Sequence, residues 1–493
     1  MTHRDCWTRL VISALGLGLA GCAVDPKPDY QRAGDHISRA VGPGEVYQPG
    51  DEARVERRVG ELCTEGITAD EAVRICLLNN PRLQAAFFEV GIARAEVVQS
   101  RLFSNPSLAL SLRFPDSGGL ANFEGSLSQN IAELWQIPAR GRAAERFLDR
   151  AVLQLARQVS MTALDAKAAH DAAVLADRAV EIAKENAGIT RQLVDLAVAR
   201  QQAGAGSVVD VNLARSELLE TELELRRSML VRIEARSDLG KLLGLNTLLD
   251  DIRLSGGSPE TETNMPSAER VAEIARERRL DVQAADQAVL AARERWDLER
   301  FRVFQSVEVG VAMERGERRP TEGQDYLADT ARASIAAGQL AAPEIQPRPK
   351  KETDFIIGPT LGLEVPLFDQ NQARIARAEY EHEQASKLLD SILSELVQEA
   401  HVACERLRTA AENARFYRDE VLPLREVSLS LSREAYQAGK IPFLSVLESE
   451  RVLLRARTGY LSVLREWSAA RIGIEKVAGV PRAEIHGLST ATI

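Results

Sequence analysis

Residues 148–197 read LDRAVLQLARQVSMTALDAKAAHDAAVLADRAVEIAKENAGITRQLVDLA, a run without a single proline. Steps of four and three from Leu148 land on Val152, Leu155, Val159, Thr162, Ala166, Ala169, Ala173, Ala176, Val180, Ala183, Ala187, Thr190, Val194 and Ala197, and no charged residue falls on this stripe. A 3.5-residue period held for so long predicts coiled-coil-like packing, because the 3.6-residue period of an ordinary amphipathic helix would drift off the register. The alanines let neighbouring helices come close. A helix of about 60 residues extends roughly 90–100 Å, too far for a compact monomeric domain, so it needs partners from its own chain or from other copies.

The run has a counterpart. Leu393, Val397, Ala400, Cys404, Leu407, Ala411 and Ala414 form a similar, shorter stripe. Cys404 reads there as a small buried apolar residue, and His401 beside it lacks the further ligands that a metal site requires. Each long helix ends in a glycine-containing reversal, Gln202-Ala203-Gly204-Ala205-Gly206 in the first half and Gln437-Ala438-Gly439-Lys440-Ile441 in the second. Upstream, Thr68-Ala69-Asp70-Glu71 is a capping box, and Asn79-Asn80-Pro81 breaks the helix that follows. Ser267 is the matching N-cap, and Arg278-Arg279-Leu280 matches Pro81-Arg82-Leu83. The chain therefore divides into one repeat over 67–250, a linker at 251–266 and a second repeat over 267–480, with a tail at 481–493.

The start of the chain gives an address. His3, Arg4 and Arg9 precede an apolar run from Leu10 to Leu19, followed by Leu19-Ala20-Gly21-Cys22. This tetrad is similar to a bacterial lipobox, which makes residues 1–21 a lipoprotein signal peptide and Cys22 the lipidated residue. Ala23, in place of Asp, favours the outer membrane, and residues 22–66 read as an extended periplasmic segment. The formal charge of −10 becomes about −11 once residues 1–21 are removed. So acidic a chain is not a nucleic-acid binder. An oxidising periplasm leaves Cys63 and Cys76 either as a disulfide or as two thiols.

Between the helices lie strands. Ser107-Leu108-Ala109-Leu110-Ser111-Leu112-Arg113-Phe114 alternates without a fault, and a turn containing Pro115, Asp116, Gly118 and Gly119 follows. Next, Phe123, Gly125 and Leu127 oppose Asn122, Glu124, Ser126 and Ser128. In the second half Val307, Val309, Val311 and Met313 oppose Glu308, Gly310, Ala312 and Glu314, while Ile357, Leu361, Leu363 and Val365 oppose Thr360, Gly362 and Glu364. Each segment has the length of a tilted membrane strand. A water-facing sheet packed on helices would alternate in the same way. Four strands cannot close a water-filled barrel, and open edges are forbidden in lipid, so strands in a membrane require several chains to share one barrel.

The order of these elements, with Val365-Pro366-Leu367-Phe368-Asp369-Gln370-Asn371-Gln372 leading into a helix and Ala435-Tyr436-Gln437-Ala438-Gly439 preceding Phe443-Leu444-Ser445-Val446-Leu447-Glu448, resembles the TolC-like outer-membrane efflux channel family over residues 60–480. The resemblance implies a mainly α fold: a trimeric α-barrel of long helices, continued by a shared twelve-stranded β-barrel to which each chain gives four strands. It also implies a homotrimer anchored in outer-membrane lipid, docking to a periplasmic adaptor and an inner-membrane pump. The Pro-Leu-Phe-Asp-Gln-Asn-Gln stretch is similar to the metal-cation branch, and the resemblance implies metal cations or drugs as the exported substrates. One departure is the segment 315–354, rich in charge, Ala and Pro, which the resemblance places outside the cell as a disordered insertion or a lid.

No catalytic constellation, P-loop or nucleophile elbow is present, so the expectation is a passive duct rather than an enzyme, with no cofactor and no metal centre. The resemblance makes the two reversals periplasmic tips. Gly204, Gly206, Ser207, Val208, Gly439, Ile441, Pro442 and Leu444 are then the adaptor-docking residues. Ser445 and Glu448 match family positions at the narrow end, and three copies of Glu448 around an axis would form an anionic ring favouring cations. Asp210 matches a latching position whose usual Arg partner falls at Ile441, leaving Lys440 as a substitute. A type I secretion channel and a periplasmic coiled-coil scaffold lipoprotein are the alternatives.

Overall fold

A computed structural model describes residues 24–64, 66–114, 116, 121–247, 249, 252–256, 265–318, 335–338 and 352–487. The signal peptide, Cys22, most of the 315–354 segment and the end of the tail lie outside the described residues. In chain order the elements are α1 (Lys27–Val41), α2 (Glu52–Thr64), α3 (Ala69–Asn79), α4 (Pro81–Ser100), β1 (Ser107–Arg113), β2 (Asn122–Asn130), α5 (Glu133–Gln202), α6 (Val208–Leu243), α7 (Ala268–Arg278), α8 (Leu280–Phe301), β3 (Val307–Arg318), β4 (Glu352–Leu363), α9 (Gln372–Phe416), a π-helical turn (Tyr417–Val421), α10 (Leu422–Gln437), α11 (Phe443–Ala478) and α12 (Arg482–Gly487). They form two compact units, one of residues 1–98, 144–291 and 383–493, the other of residues 99–143 and 292–382.

The first unit is helical and carries the internal repeat. In the Leu148–Ala197 stripe of α5, Thr162, Ala169 and Val194 are half-buried and every other position is buried. Thr68 and Glu71 form the capping box of α3, and Ser267 caps α7. Both short-helix pairs break at a residue with extended backbone, Asn80 and Arg279. Against each break sits the left-handed glycine that ends the last long helix of its repeat. A Cβ on Gly244 would stand 2.4 Å from the Asn79 carbonyl oxygen, and one on Gly479 would stand 3.0 Å from the Arg279 Cα. The side chains of Asn79 and Asn80 donate to the carbonyls of Leu243, Gly244 and Leu242 at 2.8–3.0 Å, satisfying the open end of α6. The duplication thus extends to the joints.

Two expectations need correction here. The described residues of the 22–66 segment are not extended throughout but hold α1 and α2. Tyr30, Ala33, Ile37 and Ala40 recur at helical spacing and are buried, and Asp29, 1% exposed, takes both Arg94 nitrogens at 2.6 and 2.8 Å. In α9, Val397 is 54% exposed while Leu396 is buried, so the buried stripe enters through Leu393 and Leu396 before joining Ala400. Helices α9 and α10 are joined by the π-helical turn. Pro423 cannot donate to the carbonyl one turn back, and the wider turn absorbs the missing bond without ending the helical path. Cys63, Cys76 and Cys404 are free thiols, and burial pushes Cys76 up to about 12.

The second unit contains one antiparallel sheet in the order β1-β2-β3-β4. Its register places Leu108, Leu110 and Leu112 on the face shared by Phe123, Leu127, Val309, Val311, Met313, Ile357, Leu361 and Leu363. This apolar face is uncovered: Leu110 is 63% and Leu361 73% exposed. The opposite face carries polar cross-strand links, including Ser107 to Ser128 at 2.7 Å, Ser128 to Glu308 at 3.2 Å and Arg113 to Glu124 at 3.1 Å. Val365 lies past the end of β4. Among the described residues no helix is long and apolar enough to cross a membrane.

Candidate functional site at the paired helix reversals

Both reversals belong to the helical unit, and both use one device. Gly204 has φ 74° and Gly439 φ 77°. The N–H of Ala205 bonds the Arg200 carbonyl at 2.9 Å, and the N–H of Lys440 bonds the Ala435 carbonyl at 2.8 Å. Gly204 and Gly439 add bonds to Gln201 at 3.1 Å and Tyr436 at 2.9 Å. Each is a Schellman ending, in which the left-handed residue turns orphan carbonyls back onto the chain. The restarts differ. Ser207 and Asp210 make a reciprocal capping box at 3.1 Å in each direction, whereas Pro442 offers α11 no side-chain acceptor.

The reversals are packed together. Leu193, Ala197, Val211 and Ala214 of the first hairpin share one apolar cluster with Leu429, Tyr436, Phe443 and Val446 of the second. The Arg200 guanidinium lies 4.4 Å from the centre of the Tyr436 ring, donates to the Tyr436 carbonyl, and reaches the Ala205 carbonyl at 3.1 Å. Burial, with Asp210 adding to it, pushes the Tyr436 hydroxyl above its ordinary range.

On the outside of this cluster Val208 and Leu444 are about 60% exposed, and Pro442, Lys440, Ser445 and Glu448 are exposed as well. Ile441 is half-buried against the shared core. Asp210 uses its carboxylate at the cap, and among the described residues no ion pair joins it to Lys440. Nor do the described residues bring three or more His, Cys, Asp or Glu side chains together as a metal group.

The family described as outer membrane efflux protein matches residues 271–480. The cobalt-zinc-cadmium resistance protein CzcC of Cupriavidus metallidurans is 25% identical over 423 residues, covering 84% of this chain and 90% of that protein. Its second half is thus similar to outer membrane efflux proteins, and most of its length is similar to CzcC. Its fold is shared with the crystal structure of CusC, at a TM-score of 0.66 and 17% identity over 84% of this chain and 92% of that one. It is shared too with the CmeC outer membrane channel of Campylobacter jejuni, at 0.64 and 15% over 83% and 85%.

Sequence reading missed a polar node just inside the reversals. Glu450 is fully buried and accepts the Thr190 hydroxyl at 2.7 Å. Glu217, 6% exposed, takes Arg451 at 2.6 and 2.8 Å. Burial pushes Glu450 up to about 7; the Thr190 bond opposes this, Glu217 adds to it, and Arg433 and Arg451 pull it down. The signal was available: Phe443, Val446, Leu447, Glu450 and Leu453 recur at helical spacing, and one member of that apolar stripe is a carboxylate.

Proposed function

We propose that this chain is one protomer of a trimeric exit duct for metal cations, with its paired reversals docked to a periplasmic adaptor beneath the outer membrane and served by an inner-membrane pump. The observation that carries the reading is a four-stranded sheet whose apolar face is uncovered and whose two edges are unpaired among the described residues. Strand edges cannot remain open in lipid, and three such sheets joined edge to edge make one closed barrel. The cation assignment is supported by similarity along nine-tenths of CzcC. Cys22 adds a lipid anchor in this reading.

Exposed Val208 and Leu444 supply apolar contacts at the tips, while Gly204, Gly206, Ser207, Gly439, Ile441 and Pro442 shape them. Ser445 and Glu448 line the inner mouth, and Asp210 and Lys440 flank it. Three Glu448 carboxylates concentrate cations there, since like charges facing a narrow axis sum their fields.

The test is reconstitution of the detergent-extracted full chain in planar bilayers. A trimer that conducts, prefers cations, and loses most of that preference in Glu448→Gln supports the reading. An elongated soluble particle without conductance overturns the duct, and unchanged selectivity in Glu448→Gln overturns the gate.

A further inference from the structure

Glu450 is a carboxylic acid with no exposed surface, held where four helices meet. From α5, Thr190 donates its hydroxyl to one carboxyl oxygen while lying 3.4 Å from Thr221 of α6. The other oxygen, Oε2, is buried and has no partner among the described residues. The charged groups that face it are Glu217 on α6, Arg433 on α10 and Arg451 on its own helix. Arg451 is already engaged by Glu217. Arg433 makes no bond to Glu450, and its Nε and Nη2 are themselves buried without partners. Around the node, Leu193, Ala197, Leu447 and Leu453 supply apolar walls.

A neutral carboxyl suits this place. It accepts one hydroxyl bond, and the O–H on Oε2 is the one polar group left unmet, a smaller cost than a buried charge. An ionised carboxylate there would have a full charge in an apolar wall, a buried anion as neighbour, and a single hydrogen bond. Relief requires α11 to move so that water or the idle Arg433 guanidinium reaches Oε2, which separates α11 from α5.

We propose that Glu450 is a proton-operated latch between the two hairpins: protonated, it lets α10–α11 seat against α5–α6; ionised, it loosens that seat. Because both hairpins end at the reversals, the latch sets how readily the tips part. That such parting widens a duct rests on the function proposed above; the latch itself does not.

The linkage has a definite sign. Glu450 titrates near 7 when seated and near the ordinary glutamate value of about 4.5 when exposed. The seated state therefore has its full stability below about pH 4.5 and loses it as pH rises through about 7. For those two values the equilibrium for opening the node rises about tenfold between about pH 6 and about pH 8.

The experiment is hydrogen–deuterium exchange on the full detergent-solubilised chain at these two pH values, corrected for intrinsic exchange, with Glu450→Gln beside it. Gln keeps an acceptor for Thr190 and cannot ionise. The expected result is a rise of about tenfold in opening of residues 429–453 in the original chain and none in the variant. Equal pH responses in the two proteins overturn the latch. If the variant does not fold, the original chain's infrared difference spectrum decides: loss of a protonated, unhydrated carboxyl band between the two pH values supports the latch, and its absence overturns it. Conductance enters neither readout, so a chain that fails to conduct overturns the duct and leaves the latch standing.

Discussion

Glu448 and Glu450 stand two positions apart on α11, one exposed and one fully buried. A turn of 3.6 residues sends neighbours at that spacing to different faces, so identical side chains enter opposite environments. The exposed one interacts through a screened field; the buried one, in the latch proposed above, exchanges its charge for a proton. Glu217 couples the two regimes, because one of its oxygens takes both Nε and Nη2 of Arg451 and the carboxyl is held beside Glu450. Glu217→Gln should therefore move the pH midpoint of node opening downward, as the repulsion that raises Glu450 is removed. It should also lower stability by about 1 kcal/mol, a modest figure because Arg451 remains 38% exposed and keeps water when its partner is lost. A melting series across pH checks both, and an unmoved or raised midpoint would contradict the placement of Glu217.

At the scale of elements, the two reversals share their endings and differ in their restarts, which separates two contributions. Gly439 has open space where a Cβ would go, so Gly439→Ala meets only the left-handed backbone and should cost about 1 kcal/mol. Ser207→Ala removes one half of a capping box and should cost about 1 kcal/mol, whereas Pro442→Ser gives α11 an acceptor it lacks and should stabilise by about 0.5 kcal/mol. Denaturant midpoints of the three variants order them; a destabilised Pro442→Ser would show that the fixed proline φ matters more than the cap. Such endings were legible in advance because Gly, Ser-x-x-Asp and a 3.5-residue stripe are local signals. Less legible were the features set by distant packing. Val397 lies on the stripe by arithmetic, yet α9 rotates Leu396 inward there. Helix α1 was hidden because its apolar face is short and its Asp29 reads as polar until Arg94, far along the chain, is placed beside it. Glu450 was overlooked for the same reason: its identity says surface, and only the residues at helical spacing around it say core.

For the whole molecule, the question is what satisfies a sheet that shows leucines to the outside and serines to the other face. Within one chain nothing among the described residues covers Leu110, Leu361 or Leu363, while Ser107, Ser128 and Glu308 are linked across the polar side. A soluble scaffold would expose the apolar face to water, and a patch of that kind drives aggregation. In lipid the same face is the favourable one, and in the proposed trimer β1 and β4 would find partners on other copies. The choice can be forced by one residue. Leu361 is 73% exposed and pairs across the sheet with Val309, so Leu361→Lys puts an ammonium on the apolar face without disturbing a packed core. Near a bilayer midplane that change costs about 2–4 kcal/mol per chain, and a three-chain barrel bears it three times. Ser126→Lys, on the opposite face of the same sheet, adds the same charge to the wet side. The expected outcome is loss of the heat-modifiable oligomer and of outer-membrane recovery in Leu361→Lys, with both retained in Ser126→Lys. If the two variants behave alike, the uncovered face is not a lipid face, and the barrel shared among chains goes with it.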